Sequence, residues 1–381
     1  MKKKADIVIV GGGIMGLALA YYLAKRRQTD VVVVEKDYLC GGASGRNGGG
    51  VRAQFATETN IRLMQESIRL CRSFAQEMGI NVWFRQGGYL FLVRSKEGLE
   101  RLRKVVAVQN DCGLKTEILA PEDAAAIVPE MSLEGIVAAA WNPDDGVVFP
   151  WPFLWGYARA AQRMGAEVET FTEVLGIDAP NGRIARVRTS RGDIETGVVV
   201  NAAGAWTPKI AKLVGIDLPN HPHRHEIMST EPLKPFLQPL VADLENGLYF
   251  SQSLRGEIVG GIGDATAPDE LDQRSSMRFM VRYARALVAR VPALARVKAL
   301  RQWAGCYDIT PDGNPIFGPS GGVEGFYLMA GFMGHGFMMA PVVSRILANH
   351  LVDGTDFDLF RRWGLDRFGK GELAPETMII G

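Results

Sequence analysis

The chain has 381 residues, of which 47% are hydrophobic and 22% are charged, and this composition is typical of a globular protein of about two packed domains. Its 43 basic and 42 acidic side chains leave a net charge of +1. A balance so close to zero argues against nucleic acid or an anionic membrane as the partner, and it favours small-molecule chemistry.

The cysteines and the first residues indicate where the protein works. Cys40, Cys71, Cys112 and Cys306 form neither a CxxC pair nor a metal-ligand spacing. We therefore predict a reducing, cytoplasmic location, where no disulfide is needed. The basic start Met1–Lys4 precedes a mostly apolar run of only six residues, which is too short for a good signal peptide.

The N-terminal segment has the pattern of a dinucleotide-binding unit. A predicted strand, Ala5–Val10, leads into GGGIMG at residues 11–16 and then into a helical pattern that reaches about Arg26. The glycines permit a tight turn and let a pyrophosphate approach the N-terminus of the helix. A second predicted strand, Val31–Val34, ends at Glu35, the spacing expected for a carboxylate that binds a ribose hydroxyl. This order of elements predicts a dinucleotide site but does not separate NAD from FAD.

Later segments favour FAD. A run that is rich in glycine, residues 41–50, follows closely and contains Arg46, which could bind phosphate; the alternative is a flexible surface loop. Val198–Ala203 and Phe326–Ala330 resemble further strands of a nucleotide-binding sheet. A dinucleotide domain built from both chain ends, with a second domain inserted, suits FAD better than NAD.

One uncharged stretch has the length of a membrane span. Residues 325–344 contain no Asp, Glu, Lys or Arg, but four glycines, His335 and Pro341 interrupt them. We predict a buried strand, turn and helix there, and no transmembrane segment. The tail after Gly371 is predicted to be loose.

The predicted fold class is α/β, with a Rossmann-like FAD-binding domain and an inserted substrate domain of mixed-sheet α+β structure. The FAD-binding domain is expected to be discontinuous and to comprise residues 1–80, 145–215 and 305–381. The substrate-binding domain is expected to comprise residues 81–144 and 216–304.

Four segments resemble the D-amino-acid-oxidase-like flavoproteins, and within them the group of sarcosine oxidase and L-proline dehydrogenase β-subunits. They are GGGIMG from Gly11, SGRNGGGVRAQF at Ser44–Phe55, WAGCYDITPDGNPIFG at Trp303–Gly318 and AGFMGHGFMMAP at Ala330–Pro341. The resemblance covers nearly the whole chain. It implies that FAD is the cofactor and that a C–N bond is oxidised.

The resemblance also implies contacts for each part of the cofactor. The ADP half is assigned to Gly11, Gly13, Ile14, Met15, Gly16, Glu35 and Lys36, with Val174 as a backbone clamp on the adenine. The pyrophosphate and the flavin ring are assigned to Ser44, Arg46, Asn47, Gly49 and Gly50, with Ala202 and Gly204 close to the phosphates. The flavin is also assigned to Gly305, Gly331, Gly334, His335, Gly336 and Met338.

Physical chemistry supports the flavin end of this assignment. A helix that begins near Gly336 would direct its positive pole at the flavin N1 and C2 carbonyl, where negative charge develops on reduction. His335 could add to this electrostatic effect, or it could be a packed histidine at a turn.

For the substrate, the resemblance places Arg52 on the carboxylate, and a planar guanidinium fork suits that group. His225 matches a histidine of the proline dehydrogenase β-subunits, and Tyr249 and Trp303 are expected to wall the amine side. A structural arginine and ordinary core aromatics remain the alternatives. The run from His221 to His225 could suggest a metal site, but Pro222 and the lack of a Cys or acidic cluster argue against one.

Departures from the family pattern narrow the prediction. Gly305 stands where monomeric sarcosine oxidases carry the flavin-linking cysteine, so FAD is expected to be non-covalent. Met338 replaces a second carboxylate-binding lysine, and no lysine near Ile258 matches the one that promotes reaction with oxygen. The β-subunits of heterotetrameric sarcosine oxidases carry a flavin-linked histidine in the region that reads Phe149–Pro152 here, so no covalent FMN is expected.

The predicted reaction is hydride transfer from the carbon beside the amine nitrogen to flavin N5, which gives an imine that water hydrolyses. Sarcosine would give glycine and formaldehyde; L-proline, glycine or a D-amino acid are the alternative substrates. The electron acceptor is expected to be oxygen or a dye-like or quinone-type compound, and a homo- or hetero-oligomer is possible. The rival classes are a pyridine-nucleotide dehydrogenase and a subunit that needs a partner for electron transfer.

Overall fold

The computed structural model describes residues 1–380, and this range contains nineteen strands and ten helices. The strands are β1 Ile7–Val10, β2 Val31–Val34, β3 Gly50–Val51, β4 Tyr89–Val93, β5 Glu117–Leu119, β6 Ala138–Asn142, β7 Gly146–Val147, β8 Glu167–Glu169, β9 Val174–Asp178, β10 Arg186–Thr189, β11 Gly192–Glu195, β12 Val198–Asn201, β13 His221–Thr230, β14 Leu240–Asp243, β15 Leu248–Gln252, β16 Ile258–Ile262, β17 Ala299–Ile309, β18 Ile316–Pro319 and β19 Phe326–Ala330. The helices are α1 Ile14–Lys25, α2 Glu58–Met78, α3 Lys96–Asp111, α4 Pro121–Ile127, α5 Pro150–Arg163, α6 Thr207–Lys212, α7 Met277–Arg290, α8 Gly336–Asp353, α9 Asp358–Arg362 and α10 Arg367–Lys370.

A six-stranded sheet holds the N-terminal motif, in the order β18, β19, β12, β1, β2, β8. All pairs are parallel except that of β18 with β19. The strands predicted from the sequence at β1, β2, β12 and β19 are therefore confirmed as neighbours in one sheet. Their Val- and Ile-rich runs suit a parallel sheet that is buried on both faces.

The two faces of this sheet pack against different elements. Ile7 and Ile9 pack toward a core that includes residues of α1, α2, α5 and α8. The alternate residues Val8 and Val10 pack toward the three-stranded sheet β9–β11. This alternation follows from the two-residue period of a strand. Helix α1 is apolar along most of its length and is almost wholly buried, because the sheet and other helices surround it.

An eight-stranded sheet forms the second layer, in the order β17, β13, β16, β15, β14, β4, β6, β5. Leu90 and Leu92 of β4 face a core that includes α7, while Tyr89 and Phe91 face the opposite side. Strand β17 continues to Ile309, so the domain boundary predicted at residue 304 falls inside a strand. The division into two domains otherwise stays a prediction.

The structure confirms the prediction for the uncharged stretch and contradicts the prediction for the C-terminal tail. Residues 325–344 form β19, a turn and the first half of α8, as predicted. Within residues 1–380, no helix combines the length and the apolar character needed to cross a bilayer. The prediction of a loose tail is wrong, because Glu376 and Met378 are only 4% and 3% exposed and Met378 packs in one core cluster with Tyr89 and Phe91.

Candidate active site

A cavity of about 430 Å³ lies between the two large sheets. It begins at the carboxyl ends of β1, β2 and β12, where open α/β sheets bind their ligands, and it ends among residues of β4, β13, β14 and β15. Its volume lies in the range of roughly 300 to 1,000 Å³ that is usual for small-molecule sites. Most of the residues that the sequence assigns to the cofactor line it.

The ADP end is built by backbone that approaches very closely. Gly11 has a φ of 116°, and a Cβ there would collide with the carbonyl oxygen of Ala202. Gly16 does not line the cavity; it packs against the Gly11 carbonyl and brings α1 close to the turn. Glu35 accepts hydrogen bonds from the amides of Gly12 at 2.8 Å and Asp37 at 2.9 Å. Its carboxylate is thus fixed by main chain, with further lone pairs free for a ribose.

Side chains close the adenosine region. The Lys36 ammonium lies 3.9 Å from the centre of the Trp206 ring. Val174 lines the cavity beside Thr172, and Gly204 lines it opposite, beside Trp206. The sequence motifs assigned Lys36 and Val174 to this region and Gly204 to the phosphates. They did not indicate Trp206, which lies in the turn Gly204–Trp206 after β12.

The glycine-rich loop is ordered by its own polar side chains. Ser44 Oγ accepts from the Ile14 amide at 3.0 Å, which ties this loop to the first glycine turn. Asn47 Oδ1 accepts from the Gly49 amide at 2.7 Å. Arg46 donates from Nε to the Gly41 carbonyl at 2.9 Å and from Nη1 to the Ala304 carbonyl at 3.1 Å. Arg46 therefore holds the loop to β17.

The flavin end gathers the C-terminal motif. Gly305, Gly334, His335, Gly336 and Met338 line the cavity, and α8 begins at Gly336 as predicted. The N-terminus of this helix places unpaired amides and a partial positive charge at the cavity.

Gly331 is the exception among the glycines of this motif. It does not line the cavity, because its amide donates to the buried Asp308 carboxylate at 2.5 Å and its Cα faces Thr310. Burial raises the pKa of Asp308 to about 6, although the bonds from Gly331, Asn220 and Thr207 oppose this. Gly331 thus shapes the turn before α8 without lining the cavity.

Arg52 and His335 meet at the substrate side of the flavin end. The Arg52 side chain is 0% exposed, and its Nη2 donates to His335 Nε2 at 3.1 Å. Burial, together with the Arg52 charge, holds the pKa of His335 well below its ordinary value. His335 is therefore a neutral acceptor, and the positive charge here belongs to Arg52 and to the start of α8 rather than to the imidazole.

His225 and Tyr249 form the opposite wall. His225 Nε2 lies 3.0 Å from Tyr249 Oη, and the His225 ring stacks on Tyr307 with centroids 4.6 Å apart. Burial, followed by the charge of His223, lowers the pKa of His225 to about 4. Burial raises the pKa of Tyr249 well above its ordinary value. This wall is thus uncharged at neutral pH.

Trp303 does not reach this cavity, and its predicted place in the amine wall is wrong. Its indole Nε1 donates to the Arg46 carbonyl at 2.9 Å, and its ring lines a neighbouring cavity of about 490 Å³. Trp303 and Gly305 lie on the same face of β17, but the loop at Arg46 crosses that face and separates the two cavities.

Several site residues escaped the sequence analysis. Tyr89, Leu240 and Tyr307 line the substrate side, and Asp145 accepts from the Ala53 amide at 2.7 Å beside Arg52. Burial raises the pKa of Asp145 to about 7, against these hydrogen bonds and the Arg52 charge. These residues come from distant strands and belong to no local motif. Only Asp145, an acidic residue in the turn between β6 and β7, could have been noticed from the sequence.

Two observations bear on the link to a flavin and on metals. Cys306 is buried, and its Sγ lies 3.5 Å from the Asp272 carbonyl, whereas the neighbouring Gly305 faces the cavity near Arg46. The histidines at the start of β13 instead meet an acid: His223 Nδ1 lies 2.9 Å from Asp269 Oδ1. Within the described residues, no three His, Cys, Asp or Glu side chains are grouped to hold a metal ion.

The residues present fit FAD. The tight turn at Gly11, where any Cβ would collide with the Ala202 carbonyl, suits the close approach of a pyrophosphate, and Glu35 is placed for a ribose. The cavity then continues past two glycine-rich turns to the start of α8, as an extended cofactor with a flavin at its far end requires.

Comparison with known families and proteins agrees with this fit. The family model described as DAO, FAD dependent oxidoreductase, matches residues 6–350. The sarcosine oxidase subunit beta of Rhodobacter capsulatus is 31% identical, over 100% of this chain and 92% of the relative. The protein of that name from Rhizobium meliloti is 32% identical, over 98% of this chain and 91% of the relative.

Solved structures give the same picture. L-proline dehydrogenase from P. horikoshii superposes with a TM-score of 0.93 at 36% identity, over 98% of this chain and 100% of that chain. Glycine oxidase from Geobacillus kaustophilus superposes with a TM-score of 0.88 at 26% identity, over 96% of this chain and 99% of that chain.

Proposed function

Because the chain belongs to the DAO family of FAD-dependent oxidoreductases and is an enzyme of amino-acid oxidation, we propose that it oxidises the C–N bond of a small secondary amino acid. The candidate substrates are sarcosine, which would give glycine and formaldehyde, and L-proline, which would give its cyclic imine. When bound, FAD supplies the acceptor for the hydride.

The observation that carries the proposal is the buried Arg52 at the flavin end. Its side chain is fully buried and lines the cavity, and its Nε has no hydrogen-bond partner. A buried cationic donor without a partner is costly, and a substrate carboxylate would satisfy it. Arginine keeps its charge even though burial lowers the pKa of Arg52.

The opposite wall suits the amine. His225 and Tyr249 are neutral at physiological pH, so nothing there stabilises an ammonium ion, and the Arg52 charge disfavours one. The substrate amine is therefore expected to lose its proton on binding, which frees the nitrogen lone pair that drives hydride loss. No side chain is needed as an obligatory base.

Different findings support each candidate substrate. The curated relatives cited above are named sarcosine oxidase subunits. L-proline is favoured by the apolar side chains Ile227 and Leu240, which line the cavity beside His225 and would pack against a ring.

Anaerobic mixing with a substrate panel tests the proposal. We expect sarcosine or L-proline to bleach the flavin absorbance at least about tenfold faster than glycine or D-alanine, because a secondary amine fills the apolar wall. Faster bleaching by glycine or by D-alanine would reject a secondary amino acid as the substrate class.

We also propose three further properties of the holoenzyme. FAD is non-covalent, because Gly305 offers no linking atom and the Cys306 thiol points elsewhere; acid precipitation should release all of the flavin. The relatives named as beta subunits support assembly with a partner subunit, which size-exclusion chromatography of the isolated chain would test. The cysteine pattern supports a cytoplasmic location.

A further inference from the structure

The guanidinium of Arg52 is shared between the cavity and the chain's own backbone. Nη1 donates to the Gln54 carbonyl, and Nη2 donates both to His335 and to the carbonyl of Met378. Nε is buried and has no partner. Nε and Nη2 form one edge of the guanidinium fork, the kind of edge that binds a carboxylate with two parallel bonds. At that edge Nη2 is thus engaged by Met378 and His335, whereas Nε has no partner.

The segment that brings Met378 to this place is Glu376–Ile380. It has no helix or strand; the Glu376 amide donates to the Asp312 carbonyl at 3.1 Å, and the Glu376 carboxylate is the main side-chain anchor. That carboxylate accepts from the Ala56 amide at 2.9 Å, from Asn60 Nδ2 at 2.9 Å and from the Met378 amide at 2.8 Å. Beyond the anchor, Met378 and Ile380 pack against Tyr89 and its neighbours, and Ile380 lines the cavity.

We propose that the segment Glu376–Ile380 is an exchangeable cover of the substrate-carboxylate site, in which the Met378 carbonyl holds the place of a carboxylate oxygen on Arg52. The substrate carboxylate takes both Nε and Nη2, and the Met378 carbonyl leaves. This inference rests on the proposed function, because it requires that Arg52 binds a carboxylate.

The physical basis is a competition for one cation. A peptide carbonyl is neutral and satisfies one donor, whereas a carboxylate is charged and satisfies two. Without substrate, the cover keeps water from the buried charge and limits the cost of its desolvation. With substrate, the apparent affinity is reduced by the fraction of molecules in which the cover is closed. Weakening the cover should therefore tighten carboxylate binding.

The first experiment follows the cover directly in the FAD-loaded protein. Pyrrole-2-carboxylate serves as the probe, because it is a planar analogue of proline that cannot lose a hydride in the same way. Its binding is followed by the change in flavin absorbance, and the cover by hydrogen exchange of the amides of residues 377–380. We expect saturating probe to increase the exchange of these amides at least about threefold.

The outcomes separate the two proposals. A clear change in flavin absorbance with unchanged or slower exchange at residues 377–380 would reject the cover and leave the proposed function intact. No change in absorbance at any probe concentration would reject carboxylate binding, and with it both proposals.

The second experiment weakens the cover in two independent ways. Glu376→Ala removes the anchor, and Ile380→Ser removes apolar packing without touching the anchor. We expect each to lower the Kd of pyrrole-2-carboxylate, on the order of threefold to tenfold, since each loss shifts the closed population toward the open one. Glu372→Ala, at an exposed carboxylate outside the segment, is the control and should leave the Kd unchanged. A Kd that rises in both variants would show that the segment is a fixed wall of the site, and would overturn the cover.

Discussion

The two ends of the cavity are built in different ways. At the ADP end, Gly11, Gly12 and Glu35 come from one continuous stretch and act mainly through backbone amides and close approach. At the substrate end, Arg52 meets His335 and Met378, which are 283 and 326 residues away in the sequence. The first end is a local structure, and the second is an assembly of the whole fold.

This difference has an energetic side. Backbone amides at a helix N-terminus are held by the helix itself, so the ADP end needs no buried charge to work. The substrate end keeps a guanidinium in a fully buried place and draws its acceptors from the adjacent Gln54 and from two distant segments, at His335 and Met378. Substitutions at the two ends should therefore fail in distinguishable ways, the first through the cofactor and the second through the substrate.

The largest effect is expected at the ADP end. Gly11→Ala should reduce the flavin retained after desalting by about tenfold or more, because φ is 116° and the added Cβ collides with the Ala202 carbonyl, so the turn that receives the pyrophosphate must shift. The measurement is the ratio of flavin to protein absorbance. Gly197→Ala is the control, since a Cβ there meets nothing within 4 Å and the residue is exposed. Full flavin content in Gly11→Ala would show that the turn does not determine cofactor binding.

The next effect belongs to the substrate end. Arg52→Ala should raise the KM for the preferred substrate by roughly tenfold to a hundredfold, since a lost charge-assisted contact costs about 1.5 to 3 kcal/mol. Arg52→Lys should recover only part of this, because an ammonium cannot replace the two-pronged fork. Flavin content should stay within about twofold of the wild type. Arg285→Ala, at an exposed arginine outside the cavity, controls for loss of charge. An unchanged KM in Arg52→Ala would remove Arg52 from the substrate site.

The same difference explains what the sequence could predict. The strands β1, β2, β12 and β19, helix α8 from Gly336, and most cofactor-lining residues followed from local patterns or from the family motifs. Such patterns carry glycine spacing and apolar runs, which depend on neighbours in the chain. Local patterns do not show where two distant segments cross. The sequence therefore did not reveal that the loop at Arg46 separates Trp303 from the cavity.

The C-terminal segment shows the same limit. Its sequence has few strong helix or strand signals, and such composition favours the prediction of a loose tail. Its order comes from the Glu376 carboxylate, which finds amide donors on the segment around Ala56, and no local rule connects residues so far apart. Similarly, the neutral state of His335 depends on its complete burial beside Arg52.

A third prediction concerns pH and the wall opposite Arg52. Burial lowers the pKa of His225 to about 4, below the value near 6.5 of an unfolded histidine. As the pH falls from 6.5 towards 4, the unfolded chain takes up a proton that the folded chain refuses, so stability is lost in that window. We expect His225 to cost the wild type about 2 kcal/mol between pH 7.5 and pH 5.

The variant His225→Phe tests this, because it lacks the proton uptake. Urea denaturation of the FAD-loaded proteins at the two pH values gives the change in the free energy of unfolding. The wild type should lose more stability than His225→Phe on acidification, and His221→Phe, at a histidine with a half-exposed side chain, should behave more like the wild type. Equal losses in the wild type and in His225→Phe would place the His225 titration outside this window.

The smallest effect concerns where the electrons go. Transfer of one electron to oxygen forms superoxide, an anion that a fixed cation beside the flavin stabilises. The two lysines that line the cavity within the described residues, Lys36 and Lys209, belong to its ADP end, and Ile258 is buried in the core on the other side of its sheet. Arg52 is the cation on the substrate side of the flavin end, and a bound carboxylate offsets its charge. Reoxidation of the reduced, ligand-bound enzyme by oxygen should therefore be slower than by a dye acceptor, by roughly tenfold at matched concentration.

Stopped-flow mixing of the reduced enzyme with each acceptor measures both rates, with and without pyrrole-2-carboxylate. If oxygen reoxidises the flavin as fast as the dye in both conditions, charge near the flavin does not limit this step, and the enzyme is an oxidase.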